Sequence, residues 1–293
     1  SFGFRYKSGP LIKNTNKYIV ASLKEEAYDL IWVDKAVFIT PKTTALLRSR
    51  TKKLIHFTPD PAFTFHQSKL FLKSLPYYDF LVTTKSYELD RYHKYTNKKR
   101  TLYVTQGFDN KFHKPSKVPF SEKKGFVFIG HYEKERETIL EKLLKNHIQI
   151  TLAGIKWHRF AKKHQNNPNL IYLGNGVYGK DYVTTLQNAK MAWGAISKWI
   201  PELHTTRTFE IPACGTVLVT ERNTETSQFF NEDEVLFFSN EAEMTDKISK
   251  LLLDDEALQQ ISQKGHLRAT TSGYDYQSQL LHICTHIGLS NNA

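Results

Sequence analysis

The residues best suited to chemistry lie in residues 201–215, which read Pro-Glu-Leu-His-Thr-Thr-Arg-Thr-Phe-Glu-Ile-Pro-Ala-Cys-Gly. Glu202 and Glu210 are separated by seven residues, and polar or basic side chains stand between them: His204, Thr205, Thr206 and Arg207. Carboxylates placed in this way can accept hydrogen bonds from vicinal hydroxyls. A guanidinium at a helix N-terminus can bind a diphosphate. Alternatively, Glu210 is an ordinary first-turn acid stabilised by the helix dipole. The residues alone leave both interpretations open.

Three other positions are candidates for a site. Gly130 and His131 follow a strand-like run and precede a helix-like one, so their loop could cradle a phosphate, or Gly130 could simply permit a tight turn. Tyr182 could stack on a nucleobase or be half-buried packing. Asp60 lies between two prolines at a strand end, where it could act as a base or cap the turn.

Several well-known kinds of site are excluded by their missing signatures. The sequence has no GxxxxGK[ST], HExxH or GxSxG motif. Its two cysteines, Cys214 and Cys284, provide neither a disulfide framework nor a four-cysteine zinc site, which indicates a reducing, cytoplasmic setting. His282 and His286 have helical spacing but no third ligand nearby, so we expect no metal site.

Strand-like and helix-like segments alternate along nearly the whole chain, which predicts an α/β fold with parallel sheets. The alternation breaks at a polar, proline-bearing stretch and then restarts. We therefore expect an N-terminal Rossmann-like domain at 1–115, a second at 116–272, and a terminal helix at 273–293 that returns toward the first. The N-terminal domain is expected to lack the strand with which such a domain normally opens.

The composition is strongly basic, with 41 Lys+Arg against 29 Asp+Glu and a net charge of +12. This excess favours anionic partners such as nucleic acid, anionic lipid or phosphorylated small molecules. It is expected to be spread along the chain and over both domains. No apolar run approaches the ~20 residues of a membrane helix, so association with a membrane would be peripheral.

The segment Arg207-Thr-Phe-Glu-Ile-Pro-Ala-Cys-Gly215, together with Asn240-Glu-Ala-Glu-Met-Thr-Asp-Lys-Ile248 and Gly265-His-Leu-Arg268, resembles the CgeB-like (spore-protein type) glycosyltransferases. Upstream, Tyr28-Asp-Leu-Ile-Trp-Val-Asp-Lys35 and Phe126-Val-Phe-Ile-Gly130 are similar to the same family. The resemblance covers most of the chain. It implies the GT-B architecture, in which two Rossmann-like domains face each other across a cleft.

The resemblance also implies roles for the candidate residues. The donor would be a nucleotide sugar, most simply a UDP-sugar, used as substrate with no further cofactor. Because the sequence has no DxD-like acidic pair at a plausible loop, no metal would be needed. Glu210 would bind the donor ribose, Glu202 would lie against the transferred sugar, and Gly130 and His131 would lie near the diphosphate. Catalytic candidates are thus Glu202, His131 and Asp60. Donor-binding candidates are Glu210, Arg207, Thr206, Thr205, Gly130, His204 and Tyr182. Transfer with retention of configuration is expected.

The acceptor is not identified by the residues; a glycan, a protein, a lipid or a modified nucleic acid would each be consistent with the basic composition, as would an anionic membrane surface. Two alternatives come from other classes of protein. One is a nucleic-acid-binding protein, or a transferase that modifies DNA or another anionic polymer. The other is an inactive family member that binds sugar or assembles a coat.

Overall fold

The computed structural model describes residues 2–24, 26–64 and 67–289. These residues form two compact units. Unit 1 contains the described residues up to Thr105 and from Gln279 onward, and unit 2 is Gln106–Ser278. Each unit is built on its own parallel sheet, which confirms the predicted fold class of two parallel-sheet α/β units.

Unit 1 has a four-stranded sheet in the order β1-β2-β3-β4. The strands are β1 (Tyr28–Asp34), β2 (Thr51–Thr58), β3 (Phe80–Thr83) and β4 (Thr101–Tyr103). Two helices precede them, α1 (Phe2–Tyr6) and α2 (Pro10–Ala21), and three lie between them, α3 (Pro41–Ser49), α4 (Lys69–Ser74) and α5 (Leu89–His93). Helix α3 begins where expected from sequence chemistry, because Thr40 caps the amide of Thr43 and Pro41 fixes the first helical position.

The two faces of this sheet are covered differently. One face packs against its own helices through a cluster that includes Leu54, Phe71 and Tyr78. The other face is covered by the last helix, α13 (Tyr276–His286), whose Ile283 lies with the following Ile287 against Ile55 and Val82. The core of unit 1 is therefore completed by residues from the far end of the sequence.

Unit 2 has a six-stranded parallel sheet in the order β10-β9-β8-β5-β6-β7. The strands are β5 (Phe126–Ile129), β6 (Ile150–Ala153), β7 (Leu170–Tyr172), β8 (Met191–Trp193), β9 (Val217–Glu221) and β10 (Leu236–Phe238). The helices are α6 (Lys134–Lys145), α7 (His158–Lys163), α8 (Gly179–Gln187), α9 (Arg207–Ala213), α10 (Thr226–Phe229), α11 (Glu241–Leu251) and α12 (Asp255–Thr271). The first strand, β5, lies between β6 and β8, so the strand order reverses there, and ligands of such sheets bind at the carboxyl ends of these strands.

The passage from unit 1 to unit 2 lies earlier in the chain than residue 115, where the sequence pattern breaks. Residues 106–115 belong to unit 2 because they bond to it directly. Phe108 forms a parallel bridge with Asp275, and the side-chain amide of Gln187 donates to the carbonyl of Lys114 at 2.6 Å. The polar composition of this stretch therefore reflects a fixed surface segment.

The positive charge is not spread over both units as expected. Unit 1 contains 19 Lys+Arg and 8 Asp+Glu, a net charge of +11, whereas unit 2 contains 22 and 21, a net charge of +1. That expectation is therefore wrong, and the basic character belongs almost entirely to unit 1. None of the helices in the described part of the chain has both the length and the hydropathy needed to span a bilayer.

Candidate functional site

The turn after β5 is held by close contacts between backbones. The Gly130 amide donates to the Ala153 carbonyl at 3.0 Å, and Trp157 Nε1 donates to the Gly130 carbonyl at 2.8 Å. Gly154 has φ +147°, and a Cβ there would lie 1.8 Å from the Gly130 oxygen. Only glycine allows this approach, so Gly154 fixes the turn. Since the Gly130 amide is used within the sheet, it cannot serve as a phosphate donor in this conformation.

A buried ion pair between Glu133 and Arg136 holds the backbone of His131 in place. Arg136 and Glu133 lie in the first turn of α6 or just before it, are both buried, and approach to 2.8 Å between Nη2 and Oε1. Arg136 Nη1 also donates to the His131 carbonyl at 2.9 Å, and His131 Nε2 lies 3.2 Å from Glu133 Oε1. The His131 side chain is 60% exposed. Its backbone is thus fixed while its ring faces outward.

The electrostatic surroundings of His131 favour its neutral form. Partial burial, followed by the positive charge of Arg136, lowers the pKa of His131, and Arg207 contributes in the same direction. The opposing effect of Glu133 is smaller. Two guanidinium groups and one imidazole are therefore close enough to influence one another at the carboxyl ends of β5 and β8. Because Arg136 is paired with Glu133 and His131 favours its neutral form, the charge that would attract an anion here comes chiefly from Arg207.

Helix α9 carries Arg207 at its first position and Glu210 one turn later, beyond the long loop that follows β8. The amides of Thr208, Phe209 and Glu210 donate to the carbonyls of Thr205 and Thr206, at 2.9–3.1 Å. Thr205 is buried, and its own amide donates to the Thr208 hydroxyl at 3.1 Å. These bonds shape the turn, and the charge it offers to an anion comes chiefly from the Arg207 side chain.

Glu210 is held by a partner from another helix. Tyr182 Oη, on α8, donates to Glu210 Oε2 at 2.6 Å. Burial raises the pKa of Tyr182 well above its usual value, and the negative charge of Glu210 adds to this effect. The phenol therefore stays protonated and remains a donor. Glu210 Oε1 lies 3.8 Å from Nε2 of His113, and the side chains of both residues are largely buried.

His204 occupies a different environment from the other candidates. It is buried, its Nε2 accepts from the Gln106 amide at 2.9 Å, and its Nδ1 lies 2.5 Å from Glu225 Oε2. Because Nε2 accepts, the ring proton belongs on Nδ1, where it is donated to Glu225. Both nitrogens are thus engaged by the protein. This position favours a structural role, tying residue 106 to the loop after β9.

Glu202 and Asp60 complete the predicted set. Glu202 is half-buried in the loop between β8 and α9, five residues before the helix begins. Asp60 belongs to unit 1, at the carboxyl end of β2, where it forms an ion pair with Lys35. The Thr58 hydroxyl donates to the Asp60 carbonyl at 2.8 Å and accepts from its amide at 3.2 Å. The turn-forming interpretation of residues 58–61 thus has direct support in these contacts.

The structure adds three residues to this region that the sequence does not predict: His113, Glu133 and Arg136. The pair Glu133–Arg136 has i,i+3 spacing at the start of a helix, which is typical of an ion pair on one helix face. His113 offers no such signal, because it is far from Glu210 in sequence. Among the described residues, no three His, Cys, Asp or Glu side chains are grouped so that they could hold a metal ion.

Comparison with known proteins gives an independent line of evidence. Residues 134–285, more than half of the chain, match the family model described as glycosyl transferase-like. No curated protein sequence matches the chain significantly.

The fold is similar to that of several solved structures. The Anabaena protein HepE in complex with UDP and glucose superposes with a TM-score of 0.67 at 13% identity, over 98% of this chain and 83% of that one. A sucrose-phosphate synthase from Thermosynechococcus elongatus gives 0.66 at 13% identity, over 95% and 76%. A Listeria monocytogenes protein described as a UDP-N-acetylglucosamine 2-epimerase gives 0.59 at 11%, over 96% and 79%. Identities this low show a shared fold alone.

Proposed function

Because the chain belongs to the glycosyl transferase-like family, we propose that it transfers a sugar from a UDP-sugar donor bound by unit 2 to an anionic acceptor. Its fold is of the GT-B type, as the resemblance implied. The structure of HepE with UDP and glucose supports the choice of donor. Membership of the CgeB-like subfamily stays a prediction.

The observation that carries this proposal is the setting of Glu210. Its carboxylate lies in the first turn of α9, one helical turn from Arg207, and one of its oxygens is held by Tyr182 at 2.6 Å. A carboxylate fixed through one oxygen can accept hydrogen bonds from a ribose with the other. Arg207 is then placed for the neighbouring diphosphate, for which a guanidinium is well suited.

The chemical step would be driven by stabilising the leaving group. As the bond between the sugar and the diphosphate breaks, negative charge develops on the diphosphate oxygens, and Arg207 would stabilise it. His131, whose pKa is lowered, would donate a hydrogen bond to the same group. Glu202 would lie against the transferred sugar. We propose that configuration is retained and that no metal is required, in which case a chelator should leave the rate unchanged.

The acceptor side of the proposal depends on unit 1, where the net charge is +11. Residues 1–24 contain five basic residues and no acid. In the same stretch, large apolar side chains are more than a third exposed: Phe4, Tyr6, Leu11, Tyr18 and Val20. Such a surface suits an anionic polymer or an anionic lipid headgroup. We propose Asp60 as the base that accepts the proton of the acceptor hydroxyl. Its carboxylate would first have to leave its ion pair with Lys35.

A thermal-shift panel of UDP, GDP, ADP and CMP tests the donor site directly. We expect UDP to raise the melting temperature most in the wild type. The variant Glu210→Gln keeps the shape and loses the charge, so its affinity for UDP should fall about tenfold or more, as for the loss of a charged hydrogen bond. If no nucleotide stabilises the protein, or if Glu210→Gln responds like the wild type, the proposed donor site is wrong.

Slow hydrolysis of the UDP-sugar in the absence of acceptor separates an enzyme from an inactive family member. Released UDP should be detectable over hours with the wild type, and Arg207→Ala should release it far more slowly, because the charge on the leaving group is no longer stabilised. Tight UDP-sugar binding with no release at all would favour the inactive, sugar-binding alternative.

A further inference from the structure

The segment that carries His113 is tied to unit 2 at several points. The Gln106 amide donates to His204, and the Phe108 carbonyl accepts from the Tyr276 amide at 2.9 Å. A Cβ at Gly107 would lie 2.6 Å from the Tyr274 carbonyl, so the backbones are in close contact there. After His113, the Lys114 carbonyl accepts from Gln187 at 2.6 Å. The position of His113 is therefore preorganised relative to Glu210.

The tautomer of His113 follows from its neighbour Asp109. The Asp109 amide donates to His113 Nδ1 at 3.1 Å. His113 Nδ1 also lies 3.1 Å from the Asp109 carbonyl oxygen. That oxygen already accepts from the His113 amide at 2.8 Å and from the Phe112 amide at 3.2 Å, so Nδ1 is assigned as the acceptor of the Asp109 amide. With Nδ1 as an acceptor, the proton of the neutral ring lies on Nε2. This N–H faces Glu210 Oε1, from which Nε2 is separated by 3.8 Å.

A separation of 3.8 Å is too long for a direct hydrogen bond but suits one bridging oxygen. A hydroxyl about 2.8 Å from each atom would accept from Nε2–H and donate to Oε1. Tyr182 occupies the other oxygen of Glu210, so Oε1 is the oxygen left to face a ligand. His113 also packs edge-on against the Tyr182 ring, with centroids 6.2 Å apart. The three side chains thus form one unit.

We propose that His113 is a second ligand of the donor ribose, and that one ribose hydroxyl bridges His113 Nε2 and Glu210 Oε1. This inference rests on the proposed function, since it takes Glu210 as the ribose-binding carboxylate. It assigns the chain a specificity-determining residue that selects nucleotides whose ribose carries the bridging hydroxyl over analogues that lack it. A site that donates and accepts at one hydroxyl leaves two polar groups unpaired when that hydroxyl is missing, which is costly.

The test compares the wild-type chain with His113→Phe, which keeps a ring against Tyr182 and removes the N–H. Calorimetry would measure the affinity for UDP, 2′-deoxy-UDP and 3′-deoxy-UDP. We expect the wild type to bind one deoxy analogue at least about tenfold more weakly than UDP. His113→Phe should bind UDP about tenfold more weakly but bind that analogue within about threefold of the wild-type value. His113→Gln, which can still donate, should recover part of the discrimination.

His158→Phe serves as the control, since it makes the same replacement at an exposed position on α7. A structural role alone would predict that His113→Phe weakens UDP and both analogues equally, and that result would overturn the inference. The inference would also be overturned if His113→Phe bound UDP as tightly as the wild type while Glu210→Gln bound it more weakly. That result would leave the proposed function intact. Absence of nucleotide binding by the wild type would overturn both.

Discussion

At the scale of single residues, the site depends on how Glu210 is held. The phenol of Tyr182 stays protonated and donates to Glu210 Oε2 at 2.6 Å. Tyr182→Phe removes only this bond, so we expect affinity for UDP to fall about fivefold, as for one hydrogen bond. Tyr178→Phe is a matched control four residues earlier, where the side chain is 78% exposed. Equal UDP affinities for the two variants in calorimetry would show that Glu210 does not need its partner.

His56 gives a prediction about pH. Its ring is fully buried between the rings of Phe71 and Tyr78, at centroid distances of 4.4 and 5.5 Å, and burial lowers its pKa to about 4. Above about pH 6.5 the ring is neutral in both the folded and unfolded states. Below that value only the unfolded state gains a proton, so the free energy of unfolding falls until the pH approaches 4.

The loss that His56 causes between about pH 7.5 and pH 5 should be about 2 kcal/mol. Urea unfolding of the wild type and His56→Phe at both pH values measures it. The variant should lose less stability on acidification, because its ring cannot bind a proton. Parallel pH dependence in the two proteins would show that His56 is not the group responsible.

At the scale of elements, the turn after β5 depends on Gly154. A Cβ there would meet the Gly130 carbonyl at 1.8 Å, and this contact with backbone cannot be relieved by a rotamer change. Gly154→Ala should therefore lower the free energy of unfolding by about 3 kcal/mol or more and weaken UDP binding by displacing His131. Denaturant unfolding and calorimetry would measure both effects.

Gly174→Ala separates steric contact from backbone strain. Gly174 also has a positive φ, +87°, but a Cβ there would meet nothing within 4 Å. It should cost only about 1 kcal/mol, the strain of a left-handed residue, and leave UDP binding unchanged. If the two substitutions had equal effects, the close approach of β5 and β6 would not be the reason for glycine at 154.

The elements were largely predictable from the sequence, whereas their partners were not. Apolar runs such as Phe126–Ile129 and Val217–Glu221 have the length and composition of buried parallel strands. Glu210 is also recognisable as a first-turn acid. Its partner Tyr182 lies on another helix, and His113 lies before the sheet begins, so only the folded topology brings them together. His204 is the opposite case. It belongs to the segment 201–215 that the sequence marks as a candidate site, yet in the structure its ring joins Gln106 to Glu225.

At the scale of the whole molecule, charge is divided between the units. Unit 1 has a net charge of +11 and unit 2 of +1. This difference can be calculated from the sequence as soon as a boundary between the units is assumed. A diphosphate interacts only with charges nearby, because exposed charges are screened beyond about 8 Å at physiological ionic strength. UDP affinity should therefore change little with salt, whereas binding of a polyanion such as heparin should weaken steeply.

The pair Lys13→Glu and Lys17→Glu, on α2 of unit 1, should weaken heparin binding strongly and leave UDP affinity unchanged. Lys145→Glu with Lys180→Glu, a pair on exposed positions of unit 2, makes the same change in net charge. If both pairs weaken heparin binding equally, unit 1 holds no acceptor platform. A sharp preference for a particular nucleic-acid sequence, with no response to UDP, would favour the nucleic-acid-binding alternative.

The return of α13 to unit 1 has a consequence for biosynthesis. Ile283 and Ile287 cover Ile55, Val82 and Val104, yet they leave the ribosome about 180 residues after the strands they cover. At the usual 5–20 residues per second, the first sheet waits roughly 10 to 35 s with one apolar face unprotected. During that interval the nascent unit is exposed to aggregation, and its own net charge of +11 would oppose self-association. The charge that suits an anionic partner in the finished protein would thus also protect the chain while it is being made.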